Sequence, residues 1–233
     1  MSIVVVGSVA LDSVITPFGQ VDNALGGSAT YFSLAARHYT PVKLVGVVGE
    51  DFPAEHVELL TRSGVDTRGL QVAPGKTFRW AGRYDFDLNV AHTLDTQLNV
   101  FAEFHPHLPA DYRTSDFVFL ANIDPTLQLA VLRQVKRPKL VVMDTMNFWI
   151  AGKRDALTEV IRSVDVVLMN EAELRQYADT YSLLVAARRV LALGPRAVVC
   201  KKGEYGAVLF ADGLYFVAPA YPLEEVRDPT GAG

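Results

Sequence analysis

The chain closes on Asp228-Pro229-Thr230-Gly231-Ala232-Gly233, a run of small residues whose successive backbone N–H groups can converge on an anion. Between a strand and a helix, such a turn suits a phosphoryl group in transfer, because the helix N-terminus favours negative charge. By itself the hexapeptide reads first as an ordinary turn. Other polar residues stand just past apolar runs: Asp12 a few residues beyond Ile3 to Val6, Asn122 after Phe117 to Ala121, and Asp144 with Asn147 after the run from Leu140. Asn170 and Glu173 follow Val164 to Met169, and Lys201 follows Ala197 to Cys200. Collected on one rim of a sheet, this set could hold a polar ligand, a metal and a phosphate. Each residue alone also fits a cap or a turn; Asn170 can simply cap the helix that Glu171 begins.

The elements that must position these residues follow from periodicity. Ile3 to Val6, Val42 to Val48, Phe117 to Ala121, Leu140 to Asp144, Val164 to Met169 and Ala197 to Lys201 have the apolar, largely β-branched pattern of strands buried on both faces. Gly26-Gly27 precedes a helical segment with Ser28 as its expected N-cap, and the helix from Ala54 to Ser63 stops at Gly64. Helical stretches near Leu127 to Val135, Arg154 to Ile161 and Ser182 to Leu193 alternate with the later strands, which argues for a parallel sheet covered on both faces. Ala207 to Phe210 and Leu214 to Val217, joined by Asp212-Gly213, read as a closing hairpin.

Two stretches break that pattern. Ser13 to Phe18 looks extended, with Pro17 predicting an edge strand. Between about Val72 and Phe104 the period falls to two, with Phe78, Trp80, Tyr84 and Phe86 on one parity and Arg79, Arg83, Asp85 and Asp87 on the other, as in a half-exposed antiparallel strand of a separate small sheet.

Composition excludes several classes. The net charge of −4 is spread without a basic run, so nothing calls for nucleic acid or an anionic membrane surface. No apolar run approaches a membrane span, and the opening apolar residues are too few for a signal peptide. Cys200 is the sole cysteine, which rules out an internal disulfide and fits a cytoplasmic location. His105-Pro106-His107 has no third ligand nearby in sequence, and Met143 and Met146 read as core or pocket lining.

Taken together, the spaced motifs resemble the ribokinase-like, PfkB-type family of carbohydrate and nucleoside kinases along essentially the whole chain. The resemblance is carried by Gly7-Ser8 followed by Asp12, Gly26-Gly27 before a helix, and Val45-Gly46-Val47-Val48-Gly49-Glu50-Asp51-Phe52 followed by Gly64-Val65-Asp66. Asn170-Glu171-Ala172-Glu173, Lys201-Lys202-Gly203-Glu204-Tyr205-Gly206 and Asp228 to Gly233 complete it. It implies an α/β, three-layer ribokinase-like fold with a mainly parallel central sheet, helices on both faces and a small β-sheet lid. Residues 1–12, 20–71 and 105–233 would form the core, its C-terminal part absent, and residues 13–19 and 72–104 the lid.

The implied chemistry is transfer of the γ-phosphoryl of ATP to a primary hydroxyl of a sugar or sugar-like molecule. A nucleoside kinase of the same fold, or a non-catalytic polyol-binding protein, is the alternative. Asp12, Gly26, Gly27, Tyr31, Phe78, Arg79 and Asn122 would line the acceptor site. Asn170, Lys201, Gly203 and Asp228 would serve the nucleotide, and Asn170 with Glu173 would hold Mg²⁺ through water. Gly231, Ala232 and Gly233 would form the anion hole, and two lids would pair in a homodimer. Two departures stand out. Tyr31 takes the place of the family's usual sugar-contacting asparagine, and the catalytic aspartate expected directly after Gly233 is not in the sequence. The chain is therefore expected to be shortened or partly recorded, and to turn over negligibly as it stands.

Overall fold

The computed structural model describes residues 1–231. Short β-branched runs open the chain: β1 (Ile3–Val6), β2 (Ala10–Thr16) and β3 (Gly19–Gly26), followed by α1 (Ser28–Ala36). Next come β4 (Val42–Gly49), α2 (Ala54–Arg62), β5 (Val65–Ala73), β6 (Arg79–Tyr84) and β7 (Ala91–Gln97). From β8 (Phe117–Leu120) strands and helices alternate through α3 (Pro125–Leu132), β9 (Leu140–Asp144), α4 (Asn147–Gly152), α5 (Arg154–Arg162) and β10 (Val166–Asn170). The described elements end with α6 (Glu171–Ala178), α7 (Leu183–Leu191), β11 (Ala197–Lys201), β12 (Ala207–Ala211) and β13 (Leu214–Ala218).

Nine strands form the main sheet in the order β13-β12-β11-β10-β9-β8-β1-β4-β5. All pairs are parallel except those made by β12 and β13. Residues of β1 alternate between two cores. Ile3 and Val5 pack with Ala29 of α1 and Leu60 of α2, while Val4 and Val6 pack with Val131 of α3, Ile150 of α4 and Leu157 of α5. That alternation makes the protein a helix-sheet-helix α/β fold, each face of the sheet burying its own apolar set. Strand order reverses between β1 and β8, and crevices for ligands open outside the carboxyl ends of strands at such a switch point.

The smaller sheet runs β3-β2-β6-β7. It is mixed: β6 lies parallel to β2 and antiparallel to β7. The expected edge strand at Pro17 is corrected, since β2 sits inside this sheet with β3 and β6 on either side. The strand ends at Thr16, so Pro17 falls in the β2–β3 turn, where no ladder N–H is required. Gly27 caps α1 and Ser28 is its first residue, so Ser28 is not the N-cap. Its hydroxyl is engaged elsewhere. Among the described residues no helix is long and apolar enough to cross a membrane.

Candidate active site

At the switch point, β1 and β8 approach closely: a Cβ on Gly7 would lie 2.5 Å from the Cβ of Ala121. The Ser28 N–H donates to Ser8 Oγ (3.0 Å), the two serine hydroxyls lie 3.0 Å apart, and Ser28 Oγ donates to the Asn122 carbonyl (3.3 Å). The N-terminus of α1 is thereby stitched to the ends of both strands. From β2, Asp12 enters this region almost fully buried, at 6% exposure. Gly26 has no side chain because the Asp12 carboxylate occupies the space; a Cβ there would sit 2.1 Å from Oδ2. Burial pushes the Asp12 carboxyl up to about 6; the Gly27 N–H that donates to it works against this, and the nearby Asp228 charge adds to it.

The last described residues come near enough for the Asp228 charge to act on Asp12. Gly231, at φ +80°, lies on the face of the Tyr31 ring, so that a Cβ would meet ring carbons at 2.4 to 2.6 Å. The Thr230 N–H donates to Asp228 Oδ1 (2.9 Å), and Thr230 Oγ1 donates to the Tyr84 hydroxyl of β6 (3.5 Å). Burial raises the pKa of both tyrosines, and Asp12 and Asp228 add to the shift. Asp12 thus lies against Gly26 and Gly27, Gly231 lies against Tyr31, and the Asp12 and Asp228 charges both act on the Tyr31 hydroxyl. Tyr84 joins them from the small sheet, a residue that sequence parity marked only as part of an aromatic face. Ala232 and Gly233 lie outside the described residues.

The side chains of three other expected residues have partners within the protein. The Phe78 ring stacks on Phe101 (centroids 5.1 Å apart). The Arg79 guanidinium bonds Asp51 Oδ2 at 2.7 Å and also reaches Asn23. Asp51 in turn accepts from the N–H and the hydroxyl of Thr77, both at 2.7 Å, so this cluster anchors β6 to the main sheet. Asn122 Nδ2 donates to Met146 Sδ (3.1 Å), and its Oδ1 accepts from Trp149 Nε1 (3.0 Å).

A second cluster forms at the carboxyl ends of β9, β10 and β11. Asn170 and Glu173 make a reciprocal capping box at the start of α6, the Asn170 N–H donating to Glu173 Oε2 and the Glu173 N–H to Asn170 Oδ1, each at 2.8 Å. Lys201 Nζ bonds Asp144 Oδ1 at 2.9 Å. Burial alone would depress the Lys201 ammonium, but the Asp144 and Glu173 carboxylates outweigh it and raise the pKa. Burial pushes the Glu173 carboxyl up to about 7; Lys201 opposes that shift. Gly203, at φ +57°, lies beside the β6–β7 hairpin, where a Cβ would be 3.0 Å from Asn89 Oδ1, and Asn89 Nδ2 donates to Glu204 Oε1 at 3.4 Å.

This donor set suits Mg²⁺ held through water. Among the described residues no group of three or more His, Cys, Asp or Glu could cage an ion directly, whereas the desolvated Glu173 carboxyl is stabilised in its charged form by any added cation.

The family model for pfkB family carbohydrate kinases matches residues 2–233. A cytidine kinase of Thermococcus kodakarensis is 31% identical over 238 aligned positions, covering 100% of this chain and 84% of the relative. Among solved structures, Burkholderia thailandensis nucleoside kinase in complex with inosine superposes with a TM-score of 0.78 at 17% identity, covering 99% of this chain and 80% of that one. A candidate ribokinase II of E. coli, solved with ATP and Mg²⁺, superposes with a TM-score of 0.76 at 19% identity, covering 97% and 80%. With the motifs in order along the whole chain and the doubly covered parallel sheet that carries them, this chain belongs to the pfkB carbohydrate kinase family.

Proposed function

We propose that this protein is an ATP-dependent kinase that phosphorylates the primary hydroxyl of a nucleoside. One observation carries the reading: the buried Asp12 carboxylate and the terminal turn both bear on Tyr31, whose ring packs on Gly231 and whose hydroxyl feels the charges of Asp12 and Asp228, while Thr230 of that turn bonds Tyr84. A carboxylate accepts at both oxygens, which suits two adjacent ribose hydroxyls. Gripped there, a nucleoside directs its free hydroxyl toward the terminal turn, whose N–H groups would stabilise charge developing on the phosphoryl group. Tyr84, and the face of Tyr31 turned away from Gly231, would supply flat surface for a base, which a simple sugar does not need. The relative named as a cytidine kinase supports the same choice. A free sugar as acceptor is the second reading, supported by the family's description.

The small sheet acts as the lid. Tyr84 meets Thr230 and the hairpin at Asn89 meets Glu204, so closure covers both halves of the site and excludes water that would compete as acceptor. On the donor side, ATP with Mg²⁺ supplies the phosphoryl group and neutralises its charge. Lys201, held by Asp144, would meet the phosphates, and Asn170 and Glu173, paired in the capping box, would hold the ion through its water shell. The resemblance assigns the hydroxyl proton to an aspartate directly after Gly231-Ala232-Gly233.

Thermal unfolding with matched panels of nucleosides and free sugars, with and without Mg-ADP, tests the proposal. A nucleoside at 100 times its Kd stabilises by about 2.7 kcal/mol, or roughly 5 to 11 °C for a chain of this size. A shift with pentoses or hexoses alone selects the sugar reading, and no shift with any acceptor or nucleotide overturns the kinase assignment.

A further inference from the structure

Gln128, in the second turn of α3, is fully buried, yet its amide is placed unlike that of a filler. Nε2 donates to the carbonyls of Leu120 (3.3 Å), Ala121 (3.1 Å) and Asp144 (3.0 Å). The β8–β9 ladder has its last registered pair at Leu120 and Met143. One residue further on the two strands part, and the two N–H groups of this single amide are shared among the carbonyls at the fork. The other end of the amide has no partner: Oε1 is buried without a hydrogen bond. A methionine would fill the same volume without stranding an acceptor in the core. The polar side chain is therefore unfavourable for packing alone and is accounted for by what its nitrogen holds.

What it holds is the main-chain carbonyl of Asp144, whose side chain grips Lys201. The same amide holds Ala121, the residue before Asn122. We infer that Gln128 is a positioning residue for the donor half of the site: it sets the separation of β8 and β9 at their carboxyl ends, and through Asp144 the place at which Lys201 meets the phosphates. The inference rests on the donor-side reading of Lys201 given above. The hydrogen-bond partners of the Gln128 amide are the carbonyls of Leu120, Ala121 and Asp144, whereas Asp12 lies on β2.

The experiment measures Mg-ADP and cytidine affinities by calorimetry, with thermal unfolding alongside, in Gln128→Met, Gln128→Glu, Lys201→Met and the Gln128→Met/Lys201→Met double variant. In Gln128→Met, Mg-ADP affinity is expected to fall about tenfold or more while cytidine affinity stays within about twofold. Gln128→Glu aims carboxylate oxygens at three carbonyls and weakens Mg-ADP further. On the Lys201→Met background the Gln128→Met change adds little, because both act through one ammonium. Equal weakening of both ligands, unchanged Mg-ADP affinity in Gln128→Met, or full additivity in the double variant overturns the inference. Should Gln128→Glu fail to fold, Gln128→Met and the double variant decide. A wild-type protein that binds cytidine but no Mg-ADP removes the donor-side reading itself, a separate failure visible before any variant is compared.

Discussion

Gly26→Ala is predicted to abolish acceptor binding while leaving nucleotide binding intact. The backbone at Gly26 is ordinary β-strand, so the constraint is space. An added methyl would sit 2.1 Å from Asp12 Oδ2, 2.2 Å from Cγ and 2.7 Å from Oδ1, against ordinary contacts of roughly 3.5 Å. The carboxylate must retreat by about 1 Å, and it is only 6% exposed, with the Gly27 N–H donating to it. Overpacking costs about 1–3 kcal/mol, and a lost hydrogen bond to a charged group about 1.5–3 kcal/mol. The sum, about 2.5–6 kcal/mol, is below the stability of most domains, about 5–15 kcal/mol, so the fold should survive. Two hydroxyl–carboxylate bonds at about 1.5–3 kcal/mol each then translate into a loss of roughly 10²- to 10⁴-fold in acceptor affinity. Calorimetry with a nucleoside and, separately, with Mg-ADP reads this directly. Asp12→Ala should cause a similar loss, and the two changes together should fall well short of additive. Acceptor binding by Gly26→Ala within a few-fold of wild type would refute the reasoning, because the carboxylate would then not be the group that grips the acceptor.

The raised Asp12 pKa makes stability and binding respond to pH in opposite senses. Because the folded carboxyl titrates near 6 and the unfolded one near 3.8, the folded state holds its proton longer. Stability should therefore decline as pH rises through that window, by at most about 3 kcal/mol. Acceptor affinity, which needs the carboxylate, should fall below about pH 6; Asp12→Asn should abolish that dependence in calorimetry and, in pH-resolved unfolding, remove only the Asp12 share, leaving the decline that Glu173 contributes up to about pH 7. Gly231→Ala meets strain at φ +80° and the Tyr31 ring together; it should destabilise the terminal turn by about 1–3 kcal/mol, and Tyr31→Ala in the same chain should relieve the steric part, as read by hydrogen exchange at residues 228–231. Arg79→Ala removes a half-exposed pair with Asp51 worth about 1 kcal/mol at most. Its effect should therefore be local, faster hydrogen exchange and proteolysis across residues 78–97 with little change in global unfolding, and a large fall in Tm would show that Arg79 is not merely an anchor for the small sheet.

Much of this protein was legible without coordinates, wherever the determining interaction is local. Strands β1, β4, β8, β9, β10 and β11 announce themselves as apolar, largely β-branched runs, because a strand buried on both faces has no polar parity to keep. The capping box of Asn170 and Glu173 spans three residues, and Asp212-Gly213 dictates a tight turn with Gly213 at φ +67°, so both were readable from spacing. Strand β3 was not readable: its residues are mostly exposed and mixed in polarity, and only pairing with β2 makes them a strand. Nor was the use of the charges. Arg79 next to an aromatic strand looked available to a ligand until the fold brought Asp51 and Asn23 to it. Tyr31 against Gly231, Lys201 on Asp144 and Gln128 at the fork of two strands are contacts between segments distant in the chain. Residue type alone determined which groups were able to do chemistry at the strand ends. Which of them share a space, and which spend their charge on a neighbour, was decided by the packing of the sheet and its helices, since desolvation and pairing depend on distance in space and not on separation along the chain.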